Sequence, residues 1–316
     1  MSMLSHLAHP ALRVPLPGGG PESGAWDGVV YSPEGIPLLL SEQLAYLEAI
    51  GDDLHAPLDA LGFESLAHLS CYLPQLLAPN APMRRAVRRA LNDFLDKRSE
   101  LSVELGCSVG ADLRTLAEFS HQTIGIDLNV AALRAAHAHL SGLPVPLLER
   151  VEGHSFRSAS PIVLSAIEGV HLAVGNAMDP PLFAGCADVV VAMNLLDSVP
   201  FPLALLGQID AVLKDGGLLV LTSPFAWKDS LTPPAEALGG GTHEPFVELG
   251  TAETLKGLLE GRLEVSIPFR YEILRTEDVP WTLRDHSRAV THYDVFVLVA
   301  RKVGHPGTRS ALLHAP

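Results

Sequence analysis

Glu104, Gly106 and Gly110 stand in the run VELGCSVGADLRTLAEF, where an apolar strand gives way to a helix beginning near Ala111. Glycines at such a turn permit positive φ and let a ligand approach bare backbone, with free N–H groups pointing outward at the helix start. A nucleotide-like molecule is the natural occupant. Asp127 closes the next apolar run, TIGID, with Leu128 after it. There, about 20 residues past the turn, a carboxylate can accept two hydrogen bonds from a ribose diol. VGNAMDPPLF then puts Asn176 and Ala177 just beyond a third strand, suited to an adenine edge with Met178 packed on its face. Cys107 and Ser108 complete the turn. No His/Asn arrangement accompanies Cys107, which reads as a small packing residue rather than a nucleophile.

A second set lies where an open α/β sheet opens its crevice, on the loops after strands four and five. MNLLDSV carries Asn194 and Asp197, and TSPFAWKDSLTPPAEALGGG carries Trp227, Lys228 and Asp229 before a glycine run at 239–241. His243, His286, His292 and Tyr293 follow. Aromatic walls with a few polar groups suit a small heteroaromatic or cationic substrate, and a base is needed only where the nucleophile must lose a proton. Asn194, Asp197, Trp227, Asp229, His286 and Tyr293 are therefore the candidate catalytic residues. Glu104, Gly106, Cys107, Ser108, Gly110, Asp127, Leu128, Asn176, Ala177, Met178 and Asn194 are the candidate cofactor contacts.

The elements that must hold these groups alternate strand and helix after residue 100. Strands are predicted at Leu101–Leu105, Gln122–Asp127, Val170–Val174, Ala187–Met193, Gly217–Thr222, Leu263–Ile273 and Tyr293–Arg301, with helical patterns between the first five. That alternation predicts an α/β fold, a seven-stranded, doubly wound, Rossmann-like sheet closing on a C-terminal antiparallel hairpin. Before it, WDGVVYSPEGIPLLL reads as a small hairpin turning at Ser32–Gly35. Helical spacing follows from Ser41, through Leu61–Leu77, and along Met83–Arg98. The basic run Arg84, Arg85, Arg88 and Arg89 reads as a solvated helix face. The plan is a flexible Pro/Gly-rich leader at 1–25, a hairpin and helical extension at 26–83, the main domain at 84–303 and a tail at 304–316.

Composition narrows the partners. With 22 Lys and Arg against 36 Asp and Glu, the net charge of -14 repels nucleic-acid backbones and anionic membranes, which favours a small-molecule substrate. Cys71, Cys107 and Cys186 are scattered, giving neither a disulfide framework nor a thiolate metal site. No basic leader or long apolar span stands out, so a soluble, cytoplasmic protein is expected. Oligomeric state is left open.

Through ExGxxxG at Glu104–Gly110, Asp127, GNAMD at Gly175–Asp179 and LKDGG at Leu213–Gly217, the chain resembles the class I S-adenosylmethionine-dependent methyltransferases over about residues 84–303. The resemblance implies S-adenosyl-L-methionine as cofactor. The glycine turn would approach its methionine part, Asp127 would hold the ribose, and the Asn176 loop would embrace the adenine. Asn176 stands where Asp is frequent, so an amide oxygen would face adenine N6. NLLDSV, SPFAWKDSLTPPAEALGG, DVPWTLRDHSRAVTHYDVFVLVARK and the insert at 147–164 resemble the mercaptohistidine N-methyltransferase domain of ovothiol biosynthesis. That likeness implies an imidazole or thiol-bearing, histidine-like acceptor in natural-product metabolism. The N-terminal hairpin resembles the core of small zinc-ribbon methyltransferase activators but lacks their cysteine pairs, and is read as a lid or packing element. An NAD-dependent oxidoreductase would share the turn and Asp127 but fits GNAMDPP and the terminal hairpin poorly. A non-catalytic cofactor-binding regulatory scaffold is the other alternative.

Overall fold

A computed structural model describes residues 7–8, 29–239, 249–265 and 268–304 of the chain. Segments rich in Val, Leu and Ile, whose interleaved polar residues are largely buried as well, make strands covered on both faces. These are β3 (Ser99–Leu105), β4 (Ser120–Asp127), β7 (Val170–Val174), β8 (Ala187–Met193) and β9 (Leu213–Ser223). The others are β1 (Val30–Tyr31), β2 (Pro37–Leu38), β5 (Val145–Glu152), β6 (Ser155–Ile162), β10 (Tyr271–His286) and β11 (Ala289–Lys302). The helices are α1 (Gln43–Ile50), α2 (Phe63–Tyr72), α3 (Pro82–Phe94), α4 (Leu113–Phe119), α5 (Val130–Leu140), α6 (Pro202–Val212) and α7 (Thr251–Leu259).

Nine strands form one sheet in the order β1-β2-β7-β4-β3-β8-β9-β11-β10. From β2 to β9 neighbours run parallel, while β11 is antiparallel to both β9 and β10. Alternate residues serve opposite faces. Val190, Ala192, Leu219 and Leu221 pack with α6 and α7, whereas Val189, Val191, Leu218 and Val220 pack with α3, α4 and α5. The sheet is thus doubly wound. Successive strands step outward from β3 through β4 to β7, then return to β8 on the other side of β3. That reversal opens a crevice outside the carboxyl ends of β3 and β8.

The structure departs from the sequence reading in four places. The N-terminal hairpin adds two strands by pairing Leu38 with Val174, giving nine rather than seven. No helix joins β7 to β8, because Pro180 and Pro181 deny it backbone donors. Residues 145–162 form the β5–β6 hairpin, a separate two-stranded sheet. The sixth strand begins at Tyr271, not Leu263; Leu263 and Val265 instead pack against the core, and Pro268 precedes the ladder. Position 84 lies in the first turn of α3, in keeping with the helix expected from Met83. Of the leader, Leu7 and Ala8 are described: both are buried, and Leu7 bridges Leu182. Trp26, His243 and residues 305–316 lie outside the described residues. Among the described residues, no helix is long and apolar enough to cross a membrane.

Arg134 fastens the extension to the main sheet. Its Nε meets both carboxylate oxygens of Glu34 at 2.9 and 3.0 Å, and one terminal nitrogen donates to the carbonyls of Asp53 and Ala56. Burial alone would raise the Glu34 carboxyl, but the Ser32 hydroxyl and the guanidinium hold it below the usual range. Its contribution is therefore present above the ordinary glutamate pKa and is lost as pH falls through the depressed value. Arg134→Met leaves Glu34 with the Ser32 hydroxyl but without the guanidinium, which two carbonyls lose as well, and the expected loss is about 3 kcal/mol in urea unfolding. A loss near zero would show that the hairpin and α5 are not coupled through this group.

Candidate functional site

The crevice at the reversal point is a cavity of about 240 Å³. The β3 loop supplies Gly106, Cys107, Ser108 and Asp112, β4 ends in Asp127, and the β8 loop supplies Asn194 and Leu195. Three loops at the carboxyl ends of parallel strands thus meet there, as the topology requires. Gly106 has φ +73°, and a Cβ on it would strike Leu195 Cδ1 at 2.8 Å. Four of the turn's own donors are already taken. Those of Gly106 and Cys107 go to the Ile126 carbonyl, that of Gly110 to Cys107, and that of Ser108 to Asp127 Oδ2 at 2.7 Å. What the turn offers a ligand is close approach and side-chain oxygens.

Asp127 is half-buried. Its Oδ1 accepts Asn129 N–H at 2.7 Å, so each carboxylate oxygen has one backbone donor and an accepting position left. Burial raises its pKa, and those backbone donors oppose the rise. Glu104 is fully buried on the cavity wall, and its Oε2 has no partner among the described residues. Burial first, then repulsion from Asp112, pushes its carboxyl well above the ordinary range against the pull of Arg84. Cys107 is buried, and burial likewise raises its thiol, which fits a packing residue.

The remaining cofactor candidates are divided. Leu128 and Asn176 line a neighbouring cavity with Leu40, Ser41 and Tyr46, whose hydroxyl donates to the Leu128 carbonyl. The extension therefore covers the loop expected to meet adenine. Asn176 Oδ1 already accepts Met178 N–H at 2.9 Å, Ala177 is buried, and Met178 packs against the core rather than presenting a face. Gly110 packs beneath the turn, where a Cβ would meet Ala136 at 3.0 Å.

Beside the crevice lies a smaller cavity of about 80 Å³, which shares Tyr72, Asn194, Ser198 and Trp281 with it. Asn194, at φ +50°, is fixed by Thr222, whose hydroxyl donates to its Oδ1 at 2.9 Å. Asp197 and Tyr293 line this cavity too, and the Tyr293 ring stacks on Trp281 at 5.2 Å. Three other candidates lie elsewhere. Trp227 packs into the core and donates from Nε1 to Thr251 Oγ1 at 3.3 Å, since its apolar area is better buried there than in a wet cleft. Asp229 is exposed on the turn closed by the Lys228 carbonyl. His286 lines a separate cavity with Arg150 and Asp285, and His292 is exposed beside Thr282.

Groups absent from the sequence-based candidates come from the extension and from β10. Arg84 is buried, with Nε to Asp112 Oδ1 at 3.0 Å and a terminal nitrogen to the carbonyls of Gln75 and Ala78. The solvated-face reading is thus overturned for Arg84, while Arg85 and Arg89 are exposed and Arg88 pairs with Glu118. His68 reaches over the turn, with Nε2 2.8 Å from Ser108 Oγ, and stacks on Tyr72. Burial lowers its pKa to about 4, so the ring is neutral.

Residues 80–262 match the family model described as a methyltransferase domain. A curated protein similar to the chain is an uncharacterized 37.1 kDa protein in transposon TN4556 of Streptomyces fradiae. It is 30% identical over 165 residues, which make up 51% of this chain and 40% of that protein. The chain therefore spans less than half of that relative's length. A solved S-adenosylmethionine-dependent methyltransferase of Methanosarcina mazei is similar at 19% identity and TM-score 0.45, over 68% of this chain and 97% of that one. The N-methyltransferase NodS of Bradyrhizobium japonicum, solved with S-adenosyl-l-homocysteine, is similar at 14% identity and TM-score 0.44, over 76% and 97%.

Glu104 makes stability depend on pH in a definite sense. Above the ordinary glutamate pKa of about 4.3 the unfolded chain gives up a proton that the folded chain keeps, so stability falls as pH rises toward the raised folded value. Glu104→Gln imitates the protonated acid. Urea unfolding between about pH 5 and 7 should show a flatter decline in the variant; parallel curves would mean that Glu104 keeps no proton on folding.

Proposed function

The chain belongs to the methyltransferase domain family, so it carries a domain that works with S-adenosyl-L-methionine, and from that premise we propose that the whole protein methylates a small acceptor. The donor lies in the crevice at Gly106–Ser108 and Asp127, and the acceptor in the adjoining aromatic cavity. The observation that carries this is the unpartnered, buried Oε2 of Glu104 on the same wall as Asp127. An ammonium group answers the first and a ribose diol the second, so the residues fit the two polar ends of the donor. When bound, it supplies an electrophilic methyl on a sulfonium.

The chain's own residues then position and enclose. Asn194, held by Thr222, stands between the two cavities and fixes where acceptor and donor meet. Alignment of this sort is the main requirement of a direct displacement. Tyr72 from α2, with Trp281 and Tyr293 from the C-terminal hairpin, gives the acceptor side flat apolar walls. Such walls support a small nitrogen heteroaromatic or thiol-bearing, histidine-like compound of natural-product metabolism, as the sequence resemblance implies. The net charge of -14 argues against nucleic acid as the acceptor.

Asp127→Ala removes charge-assisted acceptors worth about 1.5–3 kcal/mol each, so S-adenosylmethionine should bind at least about tenfold more weakly by calorimetry. An unchanged dissociation constant in the folded variant would take the ribose away from Asp127. Mass spectrometry of reactions with histidine, thiohistidines and other imidazoles should show the gain of one methyl. Methylation confined to proteins or nucleic acids would contradict the small-acceptor reading.

A further inference from the structure

We infer that the acceptor donates an N–H to Oδ1 of Asp197, so that the atom methylated is a nitrogen and not the sulfur of a thiol; this rests on the donor placement proposed above. Asp197 lies in the short turn Leu196–Ser198 after β8 and is 4% exposed. Its two oxygens are in different states. Oδ2 accepts Ala226 N–H at 2.7 Å and so pins the loop after β9. Oδ1 is shielded from solvent and has no hydrogen-bond partner among the described residues. A shielded carboxylate oxygen is costly to leave bare, and none of the donors that line the same cavity, on Tyr72, Asn194, Ser198, Lys228, Trp281 and Tyr293, is bonded to it. Lys228 lines the same cavity but is exposed and makes no ion pair with Asp197 among the described residues.

The surrounding groups select among nucleophiles. A nitrogen base brings a strong N–H donor, whereas a thiol is a weak donor and its reactive thiolate would be repelled by the carboxylate. The rings of Tyr72, Trp281 and Tyr293 favour a flat or positively charged guest. Asn194 belongs to this cavity and to the donor crevice alike, so a ring held at Asp197 lies beside the donor. In an imidazole the ring nitrogen without a hydrogen uses its in-plane lone pair on the methyl carbon as the carbon–sulfur bond breaks with its pair to sulfur, and the N–H nitrogen gives up its proton to Oδ1, from which it returns to solvent. The positive charge that arrives with the methyl leaves with that proton.

The test uses the full chain saturated with S-adenosylhomocysteine and titrated calorimetrically with imidazole, histamine and benzyl mercaptan. Asp197→Ala and Asp197→Asn are compared with the unaltered protein. Asp197→Asn keeps an oxygen for Ala226 N–H, so it separates loss of the carboxylate from collapse of the loop. Imidazole and histamine should bind the unaltered protein, and both substitutions should weaken them about tenfold, or 1.4 kcal/mol, with S-adenosylhomocysteine affinity unchanged. The inference is overturned by mercaptan binding alone, by failure of all three probes to bind, or by affinity lost in Asp197→Ala and kept in Asp197→Asn. Failure of S-adenosylhomocysteine to bind the unaltered protein is a different result, and it removes the donor placement itself.

Discussion

A guanidinium buried between one acid and two backbone carbonyls is the constraint around which the site is arranged. Arg84 donates to Asp112 on the β3 loop and, on its other side, to carbonyls of the segment joining α2 to α3. A charge so enclosed must be paired, since an orphaned one costs several kcal/mol. The extension can therefore neither leave nor shift without unpairing it. Glu104 owes its raised pKa first to burial and then to repulsion from Asp112, and Arg84, already paired with Asp112, offsets this only in part. The electrostatics of the crevice and the docking of the extension are one problem with one solution.

Local strain is concentrated at the same end of the sheet. Among the described residues, the non-glycine positions with positive φ are Ser108, Asn194 and Phe225. They fall one each on the loops after β3, β8 and β9. Such conformations are kept only where surrounding contacts over-determine them. Here those contacts are visible: His68 and Asp127 grip Ser108, Thr222 grips Asn194, and the Ser223 hydroxyl accepts Phe225 N–H. The strands supply rigidity, and cross-loop hydrogen bonds convert it into fixed side-chain directions.

How much of this is legible in the sequence depends on how strongly each residue type commits to one environment. The run Val189–Val191 is apolar without interruption, while those around Val103 and Ile124 interleave apolar residues with Ser102, Glu104, Thr123 and Gly125, which the fold buries as well; all three are central strands, with Glu104, Asp127 and Asn194 at their carboxyl ends. The burial of Arg84 is written in the sequence as well, since it precedes Val87 and Leu91 by three and seven positions and so shares their apolar stripe. Composition alone hides it among four arginines. Trp227 reads equally well as pocket wall or core filler, and only the position of Thr251 decides for the core. In β5 and β6, exposed polar residues interrupt the alternation, so no strand signal rises above that of a loop. Trp281 carries no local signal for the site, because the long β10–β11 pairing alone brings it over the crevice.

The stretch matching the methyltransferase family model runs from residue 80 to 262, yet the aromatic walls of the smaller cavity come from Tyr72 before it and from Trp281 and Tyr293 after it. The tip of that C-terminal hairpin is tied back to the β5–β6 insert, where Ser287 N–H reaches the carbonyls of Arg150 and Val151. The family-matched stretch and the aromatic walls are thus separate parts of the chain meeting at one seam. Lineages built this way can exchange the walls while the matched stretch stays unchanged, and selectivity can drift between related chains faster than the chemistry they share.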